Sequence, residues 1–137
     1  MREIRLKGRV IVEGKCKGEA LASTRPISFL GGVDPTNGVI VEKEHELCGK
    51  SVKDKVLCFS HGHGSTVGSY VLYSLAKKAL APKAIINQTA DPVVVVGAIL
   101  ANIPMIDRID VRRINSGDVV EVDACRGVVK ILSKKAR

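Results

Sequence analysis

The chain has no tryptophan and only two phenylalanines and two tyrosines among its 137 residues. That scarcity argues against a reader of single-stranded nucleic acid, which stacks bases on aromatic platforms. It also means that a core must be filled by Val, Ile, Leu and Ala, a palette that suits strands and close helix contacts. None of the four cysteines (Cys16, Cys48, Cys58 and Cys125) forms a Cys-x-x-Cys pair. No zinc ribbon or dithiol motif is therefore spelled out, and the expectation is a cytoplasmic protein with reduced, structural thiols. The longest apolar run, Pro92 to Ala101, falls well short of the roughly 20 residues a membrane helix needs. The stretch Met1-Arg2-Glu3-Ile4-Arg5 is charged and alternating, unlike a secretory signal. No membrane partner is expected.

What is present points to one domain, residues 1–137. Hydrophobic residues make up 45% of the chain, enough for a core without disulfides or a structural metal at this length. The formal net charge is +8, which favours anionic partners. The basic residues are scattered, apart from Lys134-Lys135-Ala136-Arg137. A solvated basic surface is the simplest reading, with attraction of a phosphate- or carboxylate-bearing metabolite next and a nucleic-acid partner not expected.

Apolar alternation predicts a strand over residues 4–12 with Gly8 as a weak point or bulge. Residues 20–38 hold several breakers and read as a long loop, of the kind that more often serves function than not. Short strands are predicted at Val39–Val41, Lys55–Phe59, Ala84–Ile86, Pro104–Ile106 and Ile109–Val111. The spacing of Val71, Leu72, Leu75, Ala76, Ala79 and Leu80 predicts a helix over 69–80, ended by Pro82. Asp91-Pro92 is an N-cap followed by proline at the first helical position and starts a second helix reaching about Asn102. Val119–Val122 and Val128–Leu132 read as an antiparallel pair. Strands at both ends and strand-helix units in the middle give an α/β chain.

The densest chemistry lies in Gly62-His63-Gly64-Ser65-Thr66-Val67-Gly68-Ser69, between a buried strand and a helix. Backbone N–H groups at a helix start make an anion site, and Ser65, Thr66 and Ser69 add hydroxyls. The spacing is neither a Rossmann fingerprint nor a P-loop nor a hydrolase elbow. From the residues alone it is either a plain helix start or a functional loop whose reaction is not named.

That loop resembles the serine loop of the aconitase swivelling domain, which in the aconitase X branch follows a Gly-Arg-Gly-Ser-x-Ser-Gly-Ser pattern. The stretches Ser28-Phe29-Leu30-Gly31-Gly32-Val33-Asp34-Pro35-Thr36-Asn37-Gly38, Ala90-Asp91-Pro92 and Gly97 to Met105 are similar to the same branch, in the same order along the chain. The resemblance implies a swivelling β/β/α domain with a β-sandwich or barrel-like core and two main helices. Within the branch the likeness is to small subunits of two-subunit archaeal dehydratases, which convert (R)-5-phosphomevalonate to trans-anhydromevalonate 5-phosphate in a modified mevalonate pathway.

On that resemblance Ser65 is the catalytic base, and His63, Gly64, Thr66, Gly68, Ser69 and Asp34 are substrate-binding. An iron–sulfur cluster of the 4Fe–4S type is expected on the large catalytic subunit, with no metal ligand on this chain. The substrate is a phosphorylated hydroxy acid. His63 stands where the branch pattern has Arg, which exchanges a permanent guanidinium charge for a titratable group. Three other readings stay open. One is an aconitase X subunit for a different hydroxy acid, another a carrier domain phosphorylated on His61 or His63, and the third a basic nucleic-acid binder. His45, among Glu42, Lys43, Glu44 and Glu46, reads as a surface residue. Arg108, Arg112 and Arg113 either face solvent or help to hold phosphate.

Overall fold

A computed structural model describes residues 3–134; the basic stretch after Lys134 and the first two residues lie outside that range. The elements in chain order are β1 (Ile4–Lys7), β2 (Arg9–Val12), β3 (Lys15–Ala22), a short turn α1 (Phe29–Gly32), β4 (Val56–Phe59), α2 (Gly68–Lys77), β5 (Ala84–Asn87), α3 (Pro92–Ala101), β6 (Met105–Asp107), β7 (Val119–Asp123) and β8 (Val128–Ser133).

The strands are ordered β1-β8-β7-β3-β4-β5-β6-β2. Its two ends are consecutive in sequence, so the order closes on itself at Gly8. There the chain leaves the antiparallel pairing with β8 and enters the antiparallel pairing with β6. Gly8 is therefore the corner between two strands rather than a bulge within one. A Cβ on it would stand 2.2 Å from the Asp107 carbonyl oxygen, too close for any other residue. β3 makes a second corner, pairing with β7 through Lys15–Glu19 and with β4, in parallel, through Ala20–Ala22.

Alternation along the parallel strands sorts side chains into two cores. Val56, Cys58, Ala84, Ile86 and Ile106 point into the barrel with Leu6, Val120, Val122, Val129 and Ile131. Leu57, Phe59, Ile85 and Met105 point outward to a helical layer, where Val71, Leu72 and Leu75 of α2 and Val94 and Ala98 of α3 cover them. The expected β/β/α architecture with a barrel-like core and two main helices is the one observed.

Four local expectations are corrected. β3 was hidden because its inward positions before Ala20 are Cys16 and Gly18, too small to register as apolar alternation. Val39 and Ile40 form isolated bridges to Ser51 and Val33 instead of a strand. Ile109–Val111 is not a strand either: Val111–Arg113 is a 3₁₀ turn, with the Asp110 carboxylate accepting the Arg112 N–H at 3.1 Å. His45 is buried rather than on the surface. Its Nδ1 accepts the Leu47 N–H at 3.1 Å, so the ring proton on Nε2 faces the Pro26 carbonyl, also at 3.1 Å.

Candidate active site

The parallel strands set the site. In open parallel sheets, ligands meet the loops beyond the carboxyl ends of the strands, and β4, β5 and β6 lead there into residues 60–67, 88–91 and 108–110. The loop after β4 is anchored by the segment after β3. Ile27 donates its N–H to the His61 carbonyl at 3.2 Å and accepts the His63 N–H at 3.3 Å.

Above that anchor, His63, Gly64, Ser65, Thr66 and Val67 are all exposed. Gly64 has φ +94°, and a Cβ there would lie 2.5 Å from Ser28 Oγ. The loop's path therefore depends on that glycine. Ser65 Oγ accepts the Val67 N–H at 3.1 Å, while the Ser65 carbonyl accepts the Gly68 N–H at 2.9 Å. The N–H groups of Gly64, Ser65 and Thr66 take no acceptor among the described residues. They lie just before the positive end of α2.

The remaining sequence candidates divide. Gly68 is buried against the side chains of Val93 and Phe29 and the backbone of Leu30. Ser69 is buried too, and its hydroxyl donates to the Val93 carbonyl at 2.6 Å, tying α2 to α3. Asp34 lies apart from the loop. Its carboxylate accepts Thr36 N–H and Oγ1–H at 2.8 and 2.6 Å, and its turn is held by Lys78, whose Nζ donates to the Pro35 carbonyl at 2.9 Å. Those Thr36 bonds hold the Asp34 carboxyl below the usual carboxylate range. Lys78 follows the last turn of α2, so Asp34 stands at the far end of that helix from Ser65.

A feature not anticipated from sequence buttresses the loops. Asp107, at the end of β6, is buried and accepts Arg9 Nε and Nη2 at 2.9 and 2.8 Å and the Ala90 N–H at 3.0 Å. Burial pushes the Asp107 carboxyl up, but the Arg9 guanidinium and the Ala90 N–H outweigh it and hold the carboxyl below its ordinary value. The next residue over, Asp91, caps α3 by accepting the N–H groups of Val93 and Val94 at 3.0 and 3.3 Å. Arg108 sits beside this buttress at φ +61°, fixed by its N–H to the Gln88 carbonyl at 3.1 Å. Arg112 is committed to Asp110, whereas the exposed Arg108 side chain makes no hydrogen bond or ion pair among the described residues, and its charge adds to the lowering of the Asp107 carboxyl.

The donor set does not suit a metal cluster. Among the described residues no three His, Cys, Asp or Glu side chains are grouped to hold a metal ion. All four cysteines are free thiols: Cys58 is inside the barrel, where burial pushes its thiol up, Cys16 is half-buried, and Cys48 and Cys125 are exposed. Among the described residues no helix is long and apolar enough to cross a membrane.

The fold is thus a corner-closed barrel carrying a hydroxyl loop at a helix start. The family model of the aconitase X swivel domain matches residues 5–131, and the chain belongs to that family. It is 55% identical over 128 residues to the phosphomevalonate dehydratase small subunit of Thermococcus sibiricus, covering 93% of this chain and 98% of that one. The crystal structure of Thermococcus kodakaraensis aconitase X in its holo-form superposes with a TM-score of 0.93 at 50% identity, covering 95% of this chain and 99% of that chain. A 3-isopropylmalate dehydratase from Methanocaldococcus jannaschii shares the fold, with a TM-score of 0.53 at 19% identity over 90% of this chain and 84% of that one.

Proposed function

We propose that this chain is the small subunit of a two-subunit hydro-lyase that dehydrates (R)-5-phosphomevalonate to trans-anhydromevalonate 5-phosphate, with Ser65 as the proton acceptor. The observation that carries the reading is near full-length likeness to curated small subunits of that enzyme. The exposed Ser65 loop supplies matching chemistry. The enzyme works in the cytoplasm, in keeping with four free thiols, and needs neither nucleic acid nor membrane.

In the reaction, the α proton passes to the Ser65 alkoxide, the C–H electron pair forms the C=C bond, and hydroxide leaves the neighbouring carbon and takes up a proton to become water, while the Ser65 hydroxyl gives one up to restore the alkoxide. A serine hydroxyl gives up its proton only far above neutral pH, so the alkoxide needs help. The Val67 N–H already points at Ser65 Oγ, and the dipole of α2 adds favourable potential. Exposure to water would quench both effects, so the loop is competent only when covered by a partner. The free N–H groups of Gly64 to Thr66 and the side chain of His63 receive substrate oxygens, and Arg108 takes the phosphate. Gly68 and Ser69 position the loop from beneath. Asp34 is too remote to share this substrate contact and instead shapes the turn beyond α2.

The iron–sulfur cluster belongs to the large subunit in this reading, and its contribution is Lewis acidity toward the leaving hydroxyl.

The deciding experiment is co-expression with the large subunit from the same organism, followed by assay of each subunit and of the pair with phosphomevalonate. Turnover by the pair alone, lost in Ser65→Ala, is the expected result. Turnover by this chain in isolation, or full turnover of the Ser65→Ala pair, would sink the proposal. Acid-labile phosphate on His61 or His63 would favour the carrier reading instead.

A further inference from the structure

Helix α3, Pro92 to Ala101, contains no charged or hydrogen-bonding side chain. A helix that is apolar all round is normally buried all round, yet the barrel and α2 cover only part of it. Val94 and Ala98 face the core and Gly97 packs on Leu72 and Ser69 of α2, while Val96, Ile99 and Leu100 face outward, Ile99 with 59% of its surface exposed. The adjoining start of α2 presents Val67, which precedes the helix, and Tyr70, the latter 65% exposed. Tyr70 and Tyr73, both tyrosines of the sequence, are exposed on α2. Tyrosine is enriched at protein interfaces, and here it is concentrated on one helix in an aromatic-poor chain.

Between the two helix starts runs a groove of about 320 Å³, lined by Thr66, Val67, Ser69, Tyr70, Pro92, Val93 and Val96. Its upper wall is the residue after Ser65, so the apolar face is continuous with the reactive loop.

We infer that the α2–α3 face, from Val67 and Tyr70 across to Val96, Ile99 and Leu100, is the surface on which the large subunit docks. The inference rests on the two-subunit reading and adds the face through which the subunits meet. A second copy of this chain fits less well as the occupant. A second copy docked here would cover the Ser65 loop on one or both molecules and shut out substrate. A large subunit bearing the rest of the active site covers the loop and the groove in one movement.

The test uses the two-subunit enzyme and the isolated chain. Tyrosine nitration reads the wild-type surface without any substitution: adding the large subunit should slow modification of Tyr70 severalfold. Val96→Asp and Ile99→Asp should weaken association at least about 30-fold, the scale of an interface hot spot. Lys17→Asp, on the opposite sheet, should leave it unchanged. Circular dichroism of each isolated variant checks folding, and the nitration result stands where a variant fails to fold. Unchanged Tyr70 reactivity in an active complex overturns the docking face and leaves the two-subunit reading intact. So does a wild-type homodimer that Val96→Asp dissolves. If the wild-type chain does not bind the large subunit at all, the two-subunit reading itself fails, and the docking face with it.

Discussion

Ser69 Oγ lies 2.6 Å from the carbonyl oxygen of Val93 and donates to it, so one buried bond joins the first turns of α2 and α3. Ser65, four residues earlier, is exposed. Two serines of one motif thus stand in different environments, and substitution separates them. Ser65→Ala should leave the melting temperature of the isolated chain nearly unchanged while removing turnover from the assembled enzyme. Ser69→Ala should cost about 1–2 kcal/mol in denaturant unfolding, with turnover reduced rather than abolished.

The Arg9–Asp107 pair predicts a pH dependence. The folded Asp107 carboxyl sits below its unfolded value of about 3.9, so its stabilisation is full above that pH. It is lost as pH falls through the lower folded value. Asp107→Asn should cost about 2 kcal/mol near neutrality. The gap between wild type and variant in urea unfolding should close below about pH 4. A gap that persists in acid would mean that the carboxylate's charge contributes little.

Gly64→Ala tests the loop's path. Its positive φ and the nearness of Ser28 Oγ give a cost of about 1–3 kcal/mol if the loop holds its shape. The loop is exposed and can instead refold locally. The expected outcome is a modest loss of stability with a large fall in kcat, measured on the assembled enzyme.

Arg108→Ala should raise KM for the phosphorylated substrate about tenfold or more while changing kcat little. Arg112→Ala, which removes a guanidinium already paired with Asp110, should change neither. Equal effects of the two would deny Arg108 its assigned phosphate.

The fold was legible where one periodicity ruled. The apolar stretch Val56–Phe59, the capped start at Asp91-Pro92 and the β7–β8 pair all occupy the positions read from sequence. β3 was not legible, because Cys16 and Gly18 fill narrow inward positions and its exposed face carries Lys15, Lys17 and Glu19. His45 was misread for a different reason. Its charged neighbours suggest solvent, but the groups that bury it are the carbonyl of Pro26 and the N–H of Leu47, one of them nineteen positions away. Ser65 stood out through its glycine and hydroxyl neighbours. Asp34 belongs to a stretch that resembles the family yet folds into a self-contained turn, and only the path of the chain along α2 reveals its distance from the loop. The Asp107 buttress joins three segments far apart in sequence, so no local pattern could announce it.

The closure at Gly8 also dictates when this molecule can become whole during synthesis. Leu6 pairs with Val129, and Val10 pairs with Ile106, so an early segment must wait for segments made much later along the chain. A nascent chain still missing β8 leaves β1 without its partner and the edge of β7 bare, a state prone to mispairing. Such distant pairings slow folding. Docking on a partner is therefore expected only after β8 has been made and paired with β1.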